Sequence, residues 1–465
     1  MTNKQKYILH DKNIAKGLLI LSIPVIFSNI LKSIHDLVDM YFVAKINLPM
    51  EIVDAQTGAI TVTSTIIMLF QALAMGLMIA GGALMSQYIG SKRPDKAKRI
   101  SGQLLLGCII AGVLCNILLY TCAPLIMRLM NAEGLIYEYS VIYLRYRSFE
   151  LIGLFVFYAY QATRQAKGDT LSPVILNSIA IILNIILTAV FIKFLGMDIR
   201  GAAVGTIIAN MVIVVPCVYK LFRSEDKELD IKLEDLKLDW HNMRKLIVIG
   251  IPAALSQALT SLGFMLVNSY SMRFDNHIIT GIGASHRINS LLFYPTMSIG
   301  GVLATYVGQN IGAKNEERAR KSVRSAIIIT LIMSVIGMAL LIPLRENILK
   351  ILLNDTSLSI KVGSEYLLYL ILNLPFMGVY QILLNTFQGA GKTNYSLVIS
   401  SLRLWALRIP FIILYLDILN LSYLSIAYSM VISNIGACIL CYFYYLKVDF
   451  KPQVNKLLKK VREIG

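Results

Sequence analysis

The chain has 465 residues, of which 56% are hydrophobic and only 15% are charged, and its formal net charge is +17. A soluble protein carries about a quarter charged residues, so this composition excludes an ordinary soluble globular fold. Apolar runs of about 20 residues or more recur along the whole sequence, and each is long enough to cross a ~30 Å hydrocarbon core as a helix. The composition therefore predicts an all-α, multi-pass membrane protein.

Twelve membrane-spanning helices are predicted, and the connections between them are too short for a soluble domain. In chain order they are 16–45, 53–85, 99–123, 134–163, 171–194, 200–222, 243–273, 277–308, 322–344, 358–386, 394–416 and 420–446. The longest connection alternates charged residues with Ile and Leu, which is typical of a linker with a short surface helix. We therefore expect a six-helix lobe at 1–222, a cytoplasmic linker at 223–242, a second six-helix lobe at 243–446 and a basic cytoplasmic tail at 447–465.

The positive charge is concentrated on one side of the predicted membrane segments. With twelve spans, both termini lie on the same side, and the connections on that side are much richer in Lys and Arg than the others, as in "SKRPDKAKR" at 91–99. By the positive-inside rule both termini are expected in the cytoplasm. The basic clusters then face anionic lipid of the cell membrane, and we expect no nucleic-acid partner.

An internal duplication relates the two halves of the chain. "KGLLILSIPVIFSN" at 16–29 aligns with "RKLIVIGIPAALSQ" at 244–257, and "QYIGSKRPDKAKR" at 87–99 aligns with "QNIGAKNEERARK" at 309–321. Six spans per half is an even number, so both halves enter the membrane in the same orientation. Parallel repeats of this kind are found in secondary transporters with a central cleft.

The first predicted helix carries Lys32, His35, Asp36 and Asp39 on one face, with Lys32–Asp36 and His35–Asp39 spaced as i,i+4 neighbours. Ionisable groups inside a membrane are costly and usually functional. Lys32 and Asp36 could merely neutralise each other. That reading leaves Asp39 unexplained, and a partly desolvated aspartate can take up and release a proton or Na⁺.

The duplication leaves this cluster unmatched in the second half. The aligned positions there are Thr260, Gly263, Phe264 and Val267. The chemistry of the cluster is therefore expected once in the molecule and not twice.

The segments "SIPVIFSNILKSIHDLVDMYFVAKI", "SQYIGSKRPDKAKR", "GQNIGAKNEERAR" and "GMDIRGAAVGTIIAN" together resemble the multidrug and toxic compound extrusion (MATE) family over essentially the whole chain. The resemblance implies an antiporter in which Asp39 couples transport to a cation. It also implies that Asn184 of the fifth helix and Thr206 of the sixth lie near the coupling site. The charged cluster of the first helix itself adds Asp36 as a second candidate coupling residue, with Lys32 and His35 as its neighbours.

Two departures from the family pattern bear on the coupling ion. The fifth helix of the family typically reads Asn-x-x-x-Asp, and Thr188 replaces the acid here; the second-half carboxylates of another branch are also unmatched, with Thr260 at one position and no Asp or Glu in 367–386. The chain thus resembles the DNA-damage-inducible branch, and protons are expected in preference to Na⁺. The resemblance gives no account of Lys32.

The function expected from the sequence is secondary export of amphipathic, often cationic, small compounds by a monomer, with no catalytic residue, metal or cofactor. The segment "QGAGKT" at 388–393 is not a nucleotide loop, because Thr386 occupies a required glycine position. One alternative is a flippase for lipid-linked saccharides from the same superfamily. A remoter one is a membrane enzyme that uses Asp36 and Asp39 on a lipid phosphate.

Two groups of basic residues are open to more than one interpretation. Arg145, Arg147 and Glu150, near the outer end of the fourth span, are expected to snorkel to the membrane interface. Arg403 and Arg408 lie deeper in the eleventh span, where they indicate either an ion pair or helix-end contact within the second half, or a substrate contact.

Overall fold

The computed structural model describes residues 7–44, 49–223, 229–353 and 357–452, and within these ranges it does not describe the side chains of 34–44, 50, 54 and 357. The described chain is helical. Its long helices, numbered by span, are α1 Ile14–Ala44, α2 Met50–Gly90, α3 Pro94–Leu129, α4 Gly134–Ser148 and Glu150–Ala166, α5 Leu171–Ala189 with a π-helical end Val190–Phe194, α6 Ile199–Phe222, α7 Trp240–Ser271, α8 Asn276–Gly312, α9 Glu316–Leu352, α10 Ser357–Leu372 and Leu374–Gly389, α11 Thr393–Ile418 and α12 Leu424–Lys447.

These helices account for the twelve predicted spans. Ten are long and apolar enough to cross a membrane, and the two segments of α10, bent by 46°, pass that test together. The two segments of α4 cover the remaining predicted span, 134–163. Large apolar side chains such as Leu114 and Val215 lie on the outside, 60% and 72% exposed, as expected where lipid and not water is the solvent.

Residue contacts divide the molecule into two units. Each unit contains the first part of one long helix, and the rest of that helix belongs to the other unit. The first unit is built mainly from Phe27–Ala258, and the second from Gln5–Ile26 and Leu259–Gly465. The division therefore falls inside α1 and inside α7. The predicted lobe boundaries at 222 and 243 describe the duplication along the sequence, and these units describe contacts in space.

A connecting segment packs against the third helix in the first unit and against its counterpart in the second. In the first unit, the Gln103 amide on α3 donates to the carbonyl oxygens of Asp235 and Lys237 at 2.9 and 2.7 Å, which fixes the predicted linker. Within that linker, Leu233–Leu236 forms a short helical turn, and the last three residues of the linker already belong to α7. In the second unit, the Arg318 guanidinium on α9 donates to the carbonyl oxygens of Tyr7, Ile8 and Asp11 at 2.8–3.1 Å.

The backbone repeats the duplication with a one-residue change of register. Left-handed Lys92 and Lys314, both with φ of 57°, are 222 residues apart, and Gly168 and Gly391 are 223 apart. The π-helices Val190–Phe194 and Leu414–Ile418 are 224 apart. A further π-helix at Leu402–Arg408 has no counterpart in α5. Since a π segment accommodates one extra residue in a helix, this segment accounts for the last shift.

Beyond that π segment, the two units therefore align with an offset of 224 residues. The alignment places Asn184 of α5 on Arg408 of α11, and Asn210 of α6 on Asn434 of α12. It also places Gly205 on Ser429. These pairs allow the two units to be compared side chain by side chain.

Candidate functional site

The structure brings together three of the predicted site residues, on α5 and α6 of the first unit. The Asn184 amide donates to the Thr206 hydroxyl at 2.8 Å, and that hydroxyl donates to the carbonyl of Ala202. Thr188 is fully buried one turn along α5, and its hydroxyl has no hydrogen-bond partner among the described residues. These side chains form a buried polar patch where the two helices meet.

A small residue on α6 allows the two helices to approach closely. A Cβ atom added at Gly205 would lie 3.1 Å from both the backbone nitrogen and the hydroxyl of Thr188. This contact is tighter than ordinary van der Waals packing, so Gly205 permits the approach that joins Asn184 to Thr206. The "GAAVGT" run thus acts through its lack of side-chain volume.

An ion pair on α4 extends this patch. Arg147 Nε lies 2.7 Å from Glu150 Oε2, and their side chains are only 16% and 6% exposed. Arg147 Nη1 also donates to the Thr206 hydroxyl at 3.5 Å, and the Asn210 amide donates to Glu150 Oε1 at 3.2 Å. The expectation that Arg147 and Glu150 snorkel to the interface is therefore wrong, because both side chains turn inward and neutralise each other.

The break in α4 explains why sequence reasoning missed this pair. The helix stops at Ser148 and resumes at Glu150, and a continuous apolar helix had been assumed there. The i,i+3 spacing of Arg147 and Glu150, next to Phe149, is the sequence feature from which this ion pair could have been predicted. The equivalent break in α10 falls at Asn373, a neutral residue.

Helix α1 carries the remaining predicted residues. The Lys32 side chain is exposed. His35, Asp36 and Asp39 lie on α1, but their side chains fall outside those that the structure describes. Four residues before Lys32, the Ser28 hydroxyl accepts a hydrogen bond from the Asn177 amide of α5 at 3.0 Å.

The second unit has a polar cluster of different composition on α11 and α12. Arg408 is fully buried, and Arg403 is 3% exposed. Asn434 Oδ1 accepts from Arg403 Nη1 at 3.1 Å and from Arg408 Nη2 at 3.0 Å, and the Ser433 hydroxyl accepts from Arg408 Nε at 3.0 Å. Among the described residues, no carboxylate lies within 4 Å of either guanidinium, so the alternative of an ion pair for these arginines finds no acid in this part of the chain.

Aromatic rings cover the two guanidinium groups. Arg403 lies 4.5 Å from the ring centroid of Tyr380, and Arg403 and Arg408 lie 5.9 and 5.5 Å from that of Phe264. Such cation–π contacts stabilise a cation but supply no countercharge. Phe264 is the residue that aligns with Asp36, so an aromatic ring replaces an acid of the first half, and Arg408 replaces the amide of Asn184.

The groups present do not form a metal centre in the part of the chain described. No set of three or more His, Cys, Asp or Glu side chains there could hold a metal ion. The six cysteines are free thiols, and Cys108, Cys115, Cys217 and Cys441 are buried among apolar side chains. Burial of this kind is typical of cysteines that act as small apolar packing residues.

Comparisons with known proteins agree with this architecture. The sequence profile of the MatE family matches residues 24–190 and 252–414, that is, once in each half of the chain. The chain is 24% identical over 409 residues to the probable multidrug resistance protein YpnP of Bacillus subtilis, covering 87% of this chain and 88% of the relative. It is 23% identical over 443 residues to the probable multidrug resistance protein YoeA of the same organism, covering 94% of each.

Solved structures show the same fold. A crystal structure of a MATE protein in complex with MaL6 superimposes with a TM-score of 0.88 at 21% identity, covering 99% of this chain and 100% of that one. An outward-facing multidrug resistance MATE transporter gives a TM-score of 0.86 at 21% identity and 99% coverage of both. With the family profile matched in both halves, this multi-pass membrane protein belongs to the MatE family, the multidrug and toxic compound extrusion transporters that its sequence resembles.

Proposed function

We propose that the protein is a proton-coupled antiporter that exports amphipathic, often cationic, small compounds, with Asp39 as the coupling residue. Membership of the MatE family and relatives named as multidrug resistance proteins support export. The observation that carries the assignment of the site is the buried Asn184–Thr206 pair, at the two positions that the family resemblance marks. Family transporters need an ion gradient and no cofactor.

The contact between α1 and α5 supports a place for Asp39 beside this pair. Both helices are odd-numbered spans and cross the membrane in the same direction, and the Ser28–Asn177 hydrogen bond fixes their register. Asp39 is eleven residues beyond Ser28, and Thr188 is eleven beyond Asn177. At 1.5 Å rise per residue the two positions stand at about the same depth.

The second unit supports a place for Asp36 by symmetry. There Phe264, which aligns with Asp36, lies against Arg408, which aligns with Asn184. An α1 helix packed in the same way brings Asp36 towards the Asn184–Thr206 pair. Lys32 is one turn away on the side of the helix N-terminus and can hold Asp36 in its charged form.

The chemistry at α5 favours protons over Na⁺. Sodium is a hard cation that needs several oxygen ligands, and negatively charged ones bind it best. Thr188 offers a neutral hydroxyl where the family pattern has a carboxylate, and the Arg147 guanidinium reaches Thr206. A single carboxylate in such surroundings can be neutralised by one proton. This reasoning also underlies our assignment to the DNA-damage-inducible branch.

We extend the proposal to the placement of the molecule. Both termini face the cytoplasm, the protein resides in the cell membrane as a monomer, and its basic cytoplasmic connections contact anionic lipid. Fusion of a reporter at residues 10, 232 and 460 tests the topology. A signal from outside the cytoplasm at residue 232 would contradict it.

The transport proposal is tested in proteoliposomes that contain the purified protein and a cationic dye such as ethidium. We expect dye transport when a proton gradient is imposed, none when a Na⁺ gradient alone is imposed, and none with ATP alone. Transport driven by Na⁺ with no proton gradient would overturn the choice of ion. A lipid-linked saccharide flipping assay on the same vesicles tests the alternative flippase function.

The choice of protons over Na⁺ as the coupling ion can be tested separately with a substitution on α5. Thr188→Asp restores the family's Asn-x-x-x-Asp pattern on α5, at a fully buried position whose hydroxyl has no partner among the described residues. We expect this variant to gain transport in a Na⁺ gradient, and Thr188→Asn, which adds the same volume without charge, to remain insensitive to Na⁺. Equal behaviour of the two variants would show that the missing acid does not decide the ion.

A further inference from the structure

The arginine cluster of the second unit contains buried donors that the described protein leaves unused. Arg403 Nε, Arg408 Nη1 and Asn434 Nδ2 are all buried, and none has a hydrogen-bond partner among the described residues. The three side chains meet at one oxygen, Asn434 Oδ1, which accepts from both arginines. An Arg side chain has five N–H donors and no acceptor, so only an added acceptor can satisfy these groups.

The same cluster carries positive charge that the described residues do not balance. A guanidinium stays protonated in proteins, and a buried charge is strongly unfavourable unless it is paired and hydrogen-bonded. The recorded partners of Arg403 and Arg408 are an amide oxygen, a hydroxyl and aromatic rings, all neutral. The unbalanced positive charge and the unused donors thus both indicate the same kind of ligand, a hydrogen-bond acceptor that carries negative charge.

We propose that Arg403, Arg408 and Asn434 form an anion-binding site in the second unit. The rings of Phe264 and Tyr380 lie near the guanidinium groups, and the N–H groups without a partner among the described residues remain for the ligand. Edges of this kind suit a halide ion or a carboxylate group, the latter often bound by two parallel hydrogen bonds. The site is distinct from the proposed cation site of the first unit, and its existence does not depend on the proposed transport function.

The helix that carries the site has a local feature that gives an anion a route to it. Arg403 and Arg408 both lie in the π-helix Leu402–Arg408, and Pro410 follows two residues later. A π segment and a proline both weaken the regular hydrogen-bond ladder, and helices bend at such places. Arg408, closed off in this structure, becomes accessible if α11 bends here.

The same π-helix contains a spectroscopic reporter. Trp405 lies between the two arginines in sequence, is 38% exposed, and donates from Nε1 to the carbonyl of Leu259 at 3.1 Å. The chain has only two tryptophans, and the other is Trp240. The full chain with Trp240→Phe therefore reports on α11 through the fluorescence of one residue.

The experiment titrates the Trp240→Phe protein, purified in detergent, with chloride, acetate and benzoate at constant ionic strength. Morpholinoethanesulfonate, a larger anion, serves as the reference. We expect a saturable change in Trp405 fluorescence and a rise in apparent melting temperature, because a ligand that binds the folded state stabilises it by mass action. Chloride and acetate acting without benzoate identify a free ion as the ligand, and benzoate acting most strongly identifies the carboxylate of a larger compound.

Two variants separate a specific site from general salt effects. Asn434→Asp is nearly isosteric and puts a carboxylate oxygen where both arginines already donate, so it supplies the countercharge from within the protein. We expect it to fold and to lose at least tenfold in anion affinity. Arg408→Gln, which removes one of the two charges, should weaken the response similarly, whereas Arg324→Gln, the loss of an exposed arginine on α9, should leave the response unchanged.

A response that is not saturable in the parent, or that persists undiminished in Asn434→Asp, would overturn the proposal. Should Arg408→Gln fail to fold, the Asn434→Asp result still decides the question, because that change keeps the geometry of the cluster. None of these measurements uses a gradient or a transported dye. Failure of the anion site and failure of the transport proposal are therefore distinguishable.

Discussion

The polar clusters of the two units lie on equivalent helices and differ in how their buried charges are balanced. In the first unit Arg147 and Glu150 form an ion pair at 2.7 Å, and the Asn210 amide donates to the same carboxylate. In the second unit Arg403 and Arg408 share an amide oxygen and have no acid within 4 Å in the described chain. The two units share the paired π-helices at the ends of α5 and α11, whereas the charges of the two sites differ.

This divergence teaches that a repeated fold need not carry a repeated function. The aligned pair Asn184 and Arg408 differ by a full charge, and the aligned pair Asp36 and Phe264 differ by another. Each change makes the first unit better suited to a cation and the second better suited to an anion. The predictions below test whether the two units differ in this way.

The largest expected effect comes from removing the acid that only the first half possesses. Asp39→Asn should reduce gradient-driven dye export to background, because the aligned residue Val267 is buried and apolar and provides no substitute. The variant should still insert and fold, since an amide and a carboxylate are nearly isosteric. Dye uptake into inverted vesicles, which corresponds to export from the cell and is normalised to the amount of protein in the membrane, is the measurement.

Asp36→Asn is the matched control for that variant. We expect milder loss, because Lys32 can keep Asp36 charged and passive. Full export by Asp39→Asn would place the coupling site elsewhere. Loss in Asp36→Asn alone would move it one turn back along α1.

The second prediction concerns the balance of charge in each unit. Glu150→Gln removes the carboxylate that lies 2.7 Å from the Arg147 guanidinium, and breaking a buried pair in this way costs about 3–5 kcal/mol. Arg408→Gln instead removes a charge that has no acid beside it in the described chain, so we expect little loss of stability. Apparent melting temperatures in detergent, without small anions, should fall clearly for Glu150→Gln only. Equal losses would show that Arg408 has a countercharge in the folded protein.

Sequence reasoning was successful wherever the signal was a length or a repeat. The twelve spans and the six-plus-six duplication follow from hydropathy and alignment, and the closeness of Asn184 to Thr206 agrees with what the family resemblance implies. The spans were too short at α3 and α9, which extend to Leu129 and Leu352, because hydropathy reports the lipid-facing part of a helix and not its polar end.

What the sequence did not disclose depends on where a helix is irregular. The break at Phe149 turns Arg147 and Glu150 towards each other, and the π segment at Leu402–Arg408 shifts α11 by one residue. Without that shift Arg408 aligns with Ile185 and not with Asn184, and the difference in charge between the two units is not recognised. Neither irregularity has a reliable signature in a single sequence, because both arise from packing against neighbouring helices.

The third prediction introduces the same substitution at two aligned positions and expects opposite signs. Asn210→Asp places a second carboxylate about 3.2 Å from Glu150 Oε1 and removes the hydrogen bond that Asn210 donates. We expect a loss of about 1–3 kcal/mol, the usual cost of a buried polar group left without its partner. Asn434→Asp gains attraction to two arginines and sacrifices no recorded hydrogen bond, because Nδ2 has no partner in the described chain.

The measurement is the apparent melting temperature of both variants at neutral pH and low concentration of small anions. Asn210→Asp should melt below the parent and Asn434→Asp above it. A fall in both would mean that burial of the new carboxylate outweighs its attraction to the arginines. Asn210→Asp should also recover stability at acid pH, where protonation removes the repulsion, and Asn434→Asp should lose its gain there.

The smallest expected effect concerns helix spacing, where the units also differ. The first unit has Gly205 at the α5–α6 contact, while the aligned Ser429 of the second has a side chain whose hydroxyl donates to the carbonyl of Ser425 at 2.7 Å. In Gly205→Ala the new methyl group would lie 3.1 Å from the Thr188 backbone. Overpacking of this kind costs about 1–3 kcal/mol, and the gain in helix propensity from Gly to Ala offsets up to about 1 kcal/mol of it.

Gly283→Ala on α8 is the matched control, because a Cβ there meets no atom within 4 Å and only the propensity gain remains. The melting temperature should therefore fall slightly for Gly205→Ala and rise slightly for Gly283→Ala, and a rise in both would show that α5 and α6 have room for a side chain at this position.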